Sequence, residues 1–512
     1  MVPHSKLTPL EKLEDFFLSV DGIISTDQFH DFIDHSNLSL TSGLKKKLIY
    51  QDDNVIYKPL LDSEKNIAQA VKTLFDSRVS EENLPDEIDH FIANYSPPKH
   101  KSALNASMDR KRFDVLREML TCPSRLVVLR GAPGSTKSTL ARYAVAILKA
   151  NSEKKQRASA TSQDFWILST SHKAMAKFRD RANIYGTTLN RALYSNRKST
   201  IPKGAVVVVD EAGLLGTLEM EALLKMAVKQ AWKKVILLGD SRQETPKSAG
   251  QPLALIERDF PDLCFKLLIS FRQKTDDMRQ LVSDIYEGRG ESAVAILKRL
   301  NALFFAAGRK ALFNRAMKRY QTLITDQGIR QTQMITVDSE EAIYLNEALS
   351  ALYRQAITEP QGLHREHNPA ELLPGERVVL KRTAKGKDPQ SGYLRTVRSG
   401  RMGVIEAIEP SRLIVSFDNQ PDPLYVAFKP YNLSKFDRSY ALSVREAQGL
   451  AMDHAVFIIS KPINGQTMVS AGSRHRQSLQ LVVNETIYDS IEKLADAISE
   501  FPHKPILIDL VQ

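Results

Sequence analysis

From residue 112 to about 260, short and nearly all-apolar runs alternate with helical stretches. The apolar runs are RLVVLR, FWILST, AVVVVD and KVILLGD, with segments such as STLARYAVAILKA and LEMEALLKMAVKQA between them. A strand without a polar face has to be covered on both sides, so this alternation predicts a parallel sheet wrapped by helices. Such sheets gather ligands on the loops that leave the carboxyl ends of their strands. The chemically distinctive residues of this chain fall on those loops.

The remaining segments divide the 512 residues into further domains, and the length alone suggests about three. Residues 1–100 read as a helix-rich N-terminal domain that ends in a Pro97–Pro98 linker. Within it, ISTDQFHDFIDHS reads as a capped helix and KKLIYQDDNVIYKPL as two strands around an Asp-Asp-Asn turn, a winged-helix-like arrangement. Its plainer reading is a small packing module, and it is also a candidate site for a protein partner. Residues 106–262 form a first parallel-sheet lobe, and residues 263–369 with 433–485 a second, with QMITVD, HAVFII and LQLVVN as strands. Between them, residues 370–432 (GERVVLKR, RMGVIEAIEP, SRLIVSFDN) read as a small β-barrel-like insertion, and 486–512 as a C-terminal tail.

Bulk properties narrow the partners. A net charge of +11 suits a polyanion, although many basic proteins bind none. Two cysteines, Cys122 and Cys264, cannot build a disulfide framework or a cysteine-rich zinc site, and point to a reducing cytoplasm. There is no run of eighteen apolar residues to span a membrane, and MVPHSKLTPLEKLEDFF turns acidic too early for a secretory signal.

The run LVVLRGAPGSTKST passes from a strand through a glycine turn into a helix and nearly matches G-x-x-x-x-G-K-[ST]. Gly131 and Gly134 let the backbone turn so that its N–H groups converge on phosphates at a positive helix terminus. Gly131, Ala132, Pro133, Gly134, Ser135, Thr136, Lys137, Ser138 and Thr139 are the candidate nucleotide cradle. Lys137 would reach the β- and γ-phosphates, and Ser138 would ligate Mg²⁺. Thr136 stands where the pattern has its last glycine; a positive φ there would cost a β-branched residue about 1 kcal/mol. Asp210 ends the strand AVVVVD and would hold the same Mg²⁺, while Glu211 would orient and deprotonate the attacking water. Gln243, in GDSRQE, is a candidate γ-phosphate sensor, against the alternative of a plain surface turn. Arg272 in SFRQ and Arg474 in SRHR offer planar, permanently charged forks for phosphate oxygens. Gln448 and Gly449 in SVREAQG join the nucleotide set. Thr170, Ser171, His172 and Lys173, with Thr187 and Thr188, are candidates for contact with a nucleic-acid strand; ordinary loop polarity is the competing reading.

In this order, over residues 131–476, the segments GAPGSTKS, STSHKAM, VVVDEAG, GDSRQ, SFRQ, SVREAQG and SRHR resemble the motifs of superfamily 1 helicases. The RecD-type branch is the nearest likeness, especially the helicase region of TraA/TraI-like conjugative relaxases. TTLNRAL, TVDSEEAIYLNEAL and the insertion GERVVLKR…GRMGVIEAI carry that likeness. The resemblance implies two RecA-like lobes that close on ATP and Mg²⁺, with Arg272 and Arg474 stabilising charge on the γ-phosphate. It also implies 5′ to 3′ movement on single-stranded DNA or a partial duplex, with RNA as the alternative strand. Thr136, Arg445, Ala447 and Gly472–Ser473 depart from the motifs, and SMDRKRFDVL occupies the place of a Q-motif glutamine. Residues 1–100 show no paired-histidine metal motif with an upstream catalytic tyrosine, so no strand-nicking activity is expected. Two other readings stay open: a virus-type superfamily 1 RNA helicase, which the GAPGS opening suits, and a degenerate motor serving as a nucleic-acid-binding scaffold.

Overall fold

The computed structural model describes residues 7–36, 38–79, 84–95, 103–155, 164–170, 175, 178, 182–194, 201–243, 245–267, 270–358, 372–418, 422–448, 450–502 and 504–511, without the side chains of 103–108, 155 and 357–358. It forms two compact units, residues 1–271 with 502–512, and residues 272–501.

The first unit opens with α1 (Pro9–Ser19), β1 (Ile23–Ser25), α2 (Thr26–Ser36), α3 (Ser42–Lys45), β2 (Leu48–Gln51) and β3 (Asn54–Tyr57). Thr8 and Glu11 close a reciprocal capping box on α1, and Pro9 stands at its first position, where a missing N–H costs nothing. The strands pair antiparallel in the order β1-β3-β2, which gives helices followed by a β-wing. Phe17, Phe29, Ile56 and Leu60 fill the core of this module. Leu507, from the far end of the chain, is fully buried in the same core. The expected Pro97–Pro98 linker lies outside the described residues.

Next come α4 (Lys58–Asp76), α5 (Leu84–Ala93), α6 (Ala103–Thr121), β4 (Leu126–Gly131), α7 (Lys137–Lys155), β5 (Phe165–Ser169), β6 (Tyr185–Thr188) and α8 (Leu189–Tyr194). They are followed by β7 (Val206–Asp210), α9 (Thr217–Lys229), β8 (Lys234–Gly239), α10 (Pro252–Asp259) and β9 (Cys264–Leu267). The six strands β4–β9 form a parallel sheet in the order β6-β5-β7-β8-β4-β9. Both faces are apolar and both are covered. Leu74, Leu223, Trp232 and Ile256 belong to one layer, and Ile88, Leu116, Leu140 and Leu148 to the other. Thus α4 packs along α9 and α5 along α7, and the helices after the winged module serve as part of the sheet's cover.

The second unit begins with α11 (Asp276–Glu287), α12 (Gly290–Arg299), β10 (Leu303–Ala306), α13 (Arg309–Gln327), β11 (Thr332–Thr336) and α14 (Ser339–Thr358). Seven strands interrupt it: β12 (Arg377–Leu380), β13 (Ala384–Lys387), β14 (Leu394–Val397), β15 (Met402–Ile408), β16 (Leu413–Phe417), β17 (Leu424–Phe428) and β18 (Phe436–Arg438). It resumes with β19 (Ala441–Ser443), β20 (Met452–Ile459), α15 (Gly465–Gly472), β21 (His475–Asn484) and α16 (Ile491–Ser499). The parallel sheet runs β10-β21-β20-β11-β19, so the two parallel sheets with their helices are two RecA-like lobes. The inserted sheet is antiparallel, β14-β13-β17-β16-β15-β12-β18, and a bulge between Ile405 and Ala407 curls it around Phe417, Phe428 and Phe436. Charge braces the insertion internally through Arg377 and ties it to the lobe through Arg330. Arg377 grips Asp418 through two nitrogens, and Arg330, just before β11, donates to the Ser416 carbonyl at 2.9 Å and to Glu406 at 2.9 Å. No helix among the described residues is long and apolar enough to cross a membrane.

Candidate functional site

In the first unit the strand β4 ends at Gly131, the chain turns through residues 132–136, and α7 starts at Lys137. Gly131 is required sterically, because a Cβ there would sit 2.5 Å from the Leu267 carbonyl and 2.6 Å from Ser135 Oγ. Gly134 (φ +84°) and Thr136 (φ +68°) both take the left-handed conformation. The Thr139 and Leu140 N–H groups donate to the Thr136 carbonyl at 2.9 and 3.0 Å and start the helix. From outside the loop, the Phe271 N–H donates to the Gly134 carbonyl at 3.0 Å and Ser270 Oγ to the Pro133 carbonyl at 3.2 Å. Ala132 and Pro133 are buried, whereas Ser138 is exposed and Thr139 half-buried.

The Lys137 ammonium donates to the Gly131 carbonyl. Gln243 Nε2 reaches the same carbonyl at 3.4 Å and donates to Asp240 Oδ2 at 2.9 Å. Asp240 lies at the tip of β8, between the strand tips that deliver Gly131 and Asp210. Asp210 closes β7, and burial, then the charge of Glu211, push its carboxyl up to about 7 against the pull of Lys137 and of the Glu211 N–H. Glu211 itself is left-handed, at φ +58°. The next turn packs Gly213 so tightly that a Cβ would lie 2.9 Å from the Asp240 carbonyl. Gly213, Asp240 and its neighbour Arg130 were not singled out by sequence; Asp240 stood beside Gln243 in GDSRQE, but its role depends on which strands are adjacent.

The loop also contains two buried hydroxyls without hydrogen-bond partners, Ser135 Oγ and Thr136 Oγ1. Orphaned buried donors next to a lysine and a glycine turn suit phosphate oxygens. Two adjacent carboxyls, one of them buried, suit a divalent cation. The residues present therefore fit a nucleotide with its metal. Thr170 follows β5 and is exposed; Thr187 and Thr188 end β6, paired with Leu168 and Ser169, so all three lie at the carboxyl edge of this sheet. Ser171, His172 and Lys173 lie outside the described residues.

In the second unit Arg272 donates to the Ser473 carbonyl at 2.5 Å, and Gln273 Nε2 to the His475 carbonyl at 2.8 Å. The Lys274 N–H donates to the Arg476 carbonyl at 2.7 Å, so this short segment runs along the start of β21. Burial, then the charges of Arg474 and Arg476, push Arg272 down to about 9. Such a cationic cluster favours an anion. Arg474 is buried and its Nε donates to the Ser470 carbonyl. Burial pushes the adjacent His475 down to about 4, which keeps it neutral. Gln448 lies in the turn after β19, its N–H donating to the Arg445 carbonyl at 3.2 Å; Gly449 lies outside the described residues.

Residues 108–306 match the family model described as an AAA domain. The chain is similar to the conjugal transfer protein TraA of Agrobacterium fabrum, 24% identical over 376 residues, covering 71% of this chain and 31% of that protein. It is also similar to the ATP-dependent RecD2 DNA helicase of Deinococcus radiodurans, 26% identical over 413 residues, covering 77% of this chain and 50% of that protein. Among solved structures, the Pif1 helicase from Candida albicans aligns with a TM-score of 0.43 at 12% identity, over 75% of this chain and 95% of that one. The chain thus spans between about a third and half of the length of these curated relatives.

Proposed function

We propose that this chain, a relative of TraA- and RecD2-type proteins of superfamily 1, hydrolyses ATP to move along single-stranded DNA. The meeting of Lys137 and Gln243 on the Gly131 carbonyl, with the Asp210–Glu211 pair two strand tips away, carries the reading. Residues 131–139 would hold the nucleotide, with Ser138 and Asp210 on Mg²⁺, and the metal when bound neutralises phosphate charge. Lys137 exchanges its backbone carbonyl for a phosphate oxygen. Glu211 orients the attacking water and takes its proton, and Gln243 senses the γ-phosphate with its amide oxygen turned to that water. Arg272 and Arg474 supply further positive charge, and Gln448 with Gly449 completes the nucleotide set. Thr170, Ser171, His172, Lys173, Thr187 and Thr188 would contact the strand. A single-strand or partial-duplex DNA partner and 5′ to 3′ movement are proposed on family likeness, in a reducing cytoplasm.

ATPase assays with and without single-stranded DNA, on the wild type and Lys137→Ala, test the motor. Strand-stimulated turnover that falls by about a hundredfold or more in the variant is expected. Equal, near-zero rates in both would sink it and favour the second reading, a nucleic-acid-binding scaffold, which the left-handed Thr136 supports. Unwinding restricted to RNA duplexes would overturn the choice of DNA.

A further inference from the structure

We infer that Arg130 is a positioning residue for Gln243: its charge holds the Asp240 carboxylate in place, and that carboxylate fixes which end of the Gln243 amide faces the reacting water. This rests on the reading of residues 131–139 as a nucleotide site and deepens it. Arg130 is the penultimate residue of β4 and stands between two carboxylates. Its Nε is 3.6 Å from Asp240 Oδ1 and its Nη1 3.3 Å from Glu257 Oε2. The side chains are 14%, 1% and 8% exposed respectively. Arg130 is the cation that pairs both side chains, and burial still pushes the Glu257 carboxyl up against the pull of Arg130. Glu257 is held in place by Ser241 Oγ, which donates to it at 2.6 Å.

Asp240 then acts as a two-sided acceptor. Oδ1 takes the Arg242 N–H at 3.1 Å and Oδ2 takes Gln243 Nε2 at 2.9 Å. The other neighbour of that Nε2 is the Gly131 carbonyl at 3.4 Å, also an acceptor. An amide between a carboxylate and a carbonyl can place only its NH₂ there, so its oxygen is left for a donor such as water. Without Arg130 beside it, the Asp240 carboxylate can turn away and release the amide. Arg130 lies beside both Asp240 and Glu257, and the Cys264 thiol faces Arg130 and Glu257.

The experiment compares Arg130→Gln, Arg130→Lys, Gln243→Ala and Arg130→Gln/Gln243→Ala in strand-stimulated ATPase, with a crystal structure of Arg130→Gln. Arg130→Gln is expected to lower kcat about tenfold and to leave the ATP KM within about twofold. Arg130→Lys should recover most of kcat. In the Gln243→Ala background the same Arg130→Gln change should cost less than about twofold, because the two residues act as one unit. A full tenfold loss in that background, or a loss confined to KM, overturns the inference. So does a Gln243 amide still seated on Asp240 in the variant structure. A wild type without strand-stimulated turnover would defeat the motor reading, and the crystal structure would still decide the positioning role.

Discussion

Thr136 and Glu211 hold the same unusual backbone state, at φ +68° and +58°, on the two loops that frame the candidate nucleotide site. Left-handed backbone crowds the Cβ of any residue but glycine and costs on the order of 1 kcal/mol. At position 136 the phosphate-loop pattern has a glycine, so the strain could be anticipated from that one substitution. At 211 nothing in Asp-Glu announces it. The turn is forced by the close seat of Gly213 on the Asp240 backbone, which exists only once β7 and β8 are neighbours. Thr136→Gly should relieve the strain and raise the thermal midpoint of the first unit by about 2 °C. A lower midpoint would mean that the threonine side chain contributes more than its backbone costs.

Among the elements, the long apolar strands were legible and the short ones were not. β5, β7 and β8 are almost wholly apolar and buried at every residue, and such runs leave little but a covered parallel strand. β18 and β19 are three residues each, too short for any periodicity, and are defined by their partners β12 and β11. The Leu-Asn pair in α14 was legible only as a likeness. In the structure Asn346 donates to the Ala441 carbonyl at 3.0 Å and accepts the Ala441 N–H at 2.8 Å, so one side chain closes the open side of edge strand β19. Asn346→Leu would leave two buried backbone groups unpaired, at about 2 kcal/mol or more. Faster amide hydrogen exchange at Ala441 and a lower denaturation midpoint of the second unit are expected; unchanged exchange would refute this role.

For the chain as a whole, the far end returns to the beginning. Lys504 Nζ pairs with Asp21 at 2.7 Å, and the Ile508 N–H donates to Glu64 on α4 at 3.0 Å. Burial, reinforced by the charge of Asp509, pushes Glu64 up to about 7, against the pull of the Ile508 and Leu507 N–H groups and of Arg258. The folded chain therefore holds this proton more tightly than the unfolded one. The stabilisation is complete below the ordinary value of 4.5, falls as pH rises through about 7, and is absent above it. Glu64→Gln, which can still accept the Ile508 N–H, should flatten that slope and be more stable than the wild type at alkaline pH. Thermal melts from pH 4 to 8 measure this, and parallel curves for the two proteins would rule it out.

Sequence alone determined the parallel-sheet architecture and marked the candidate phosphate loop, because covered strands and glycine turns are local properties of residue type and spacing. It also located the antiparallel insertion, whose short strands and glycine turns break the helical pattern. Tertiary structure decided what depends on neighbours. It placed Asp240 between the tips of β4 and β7, set Glu211 in a left-handed turn, and made Leu507 part of a core more than four hundred residues away in sequence. These depend on strand order and chain return, and no stretch of sequence carries either.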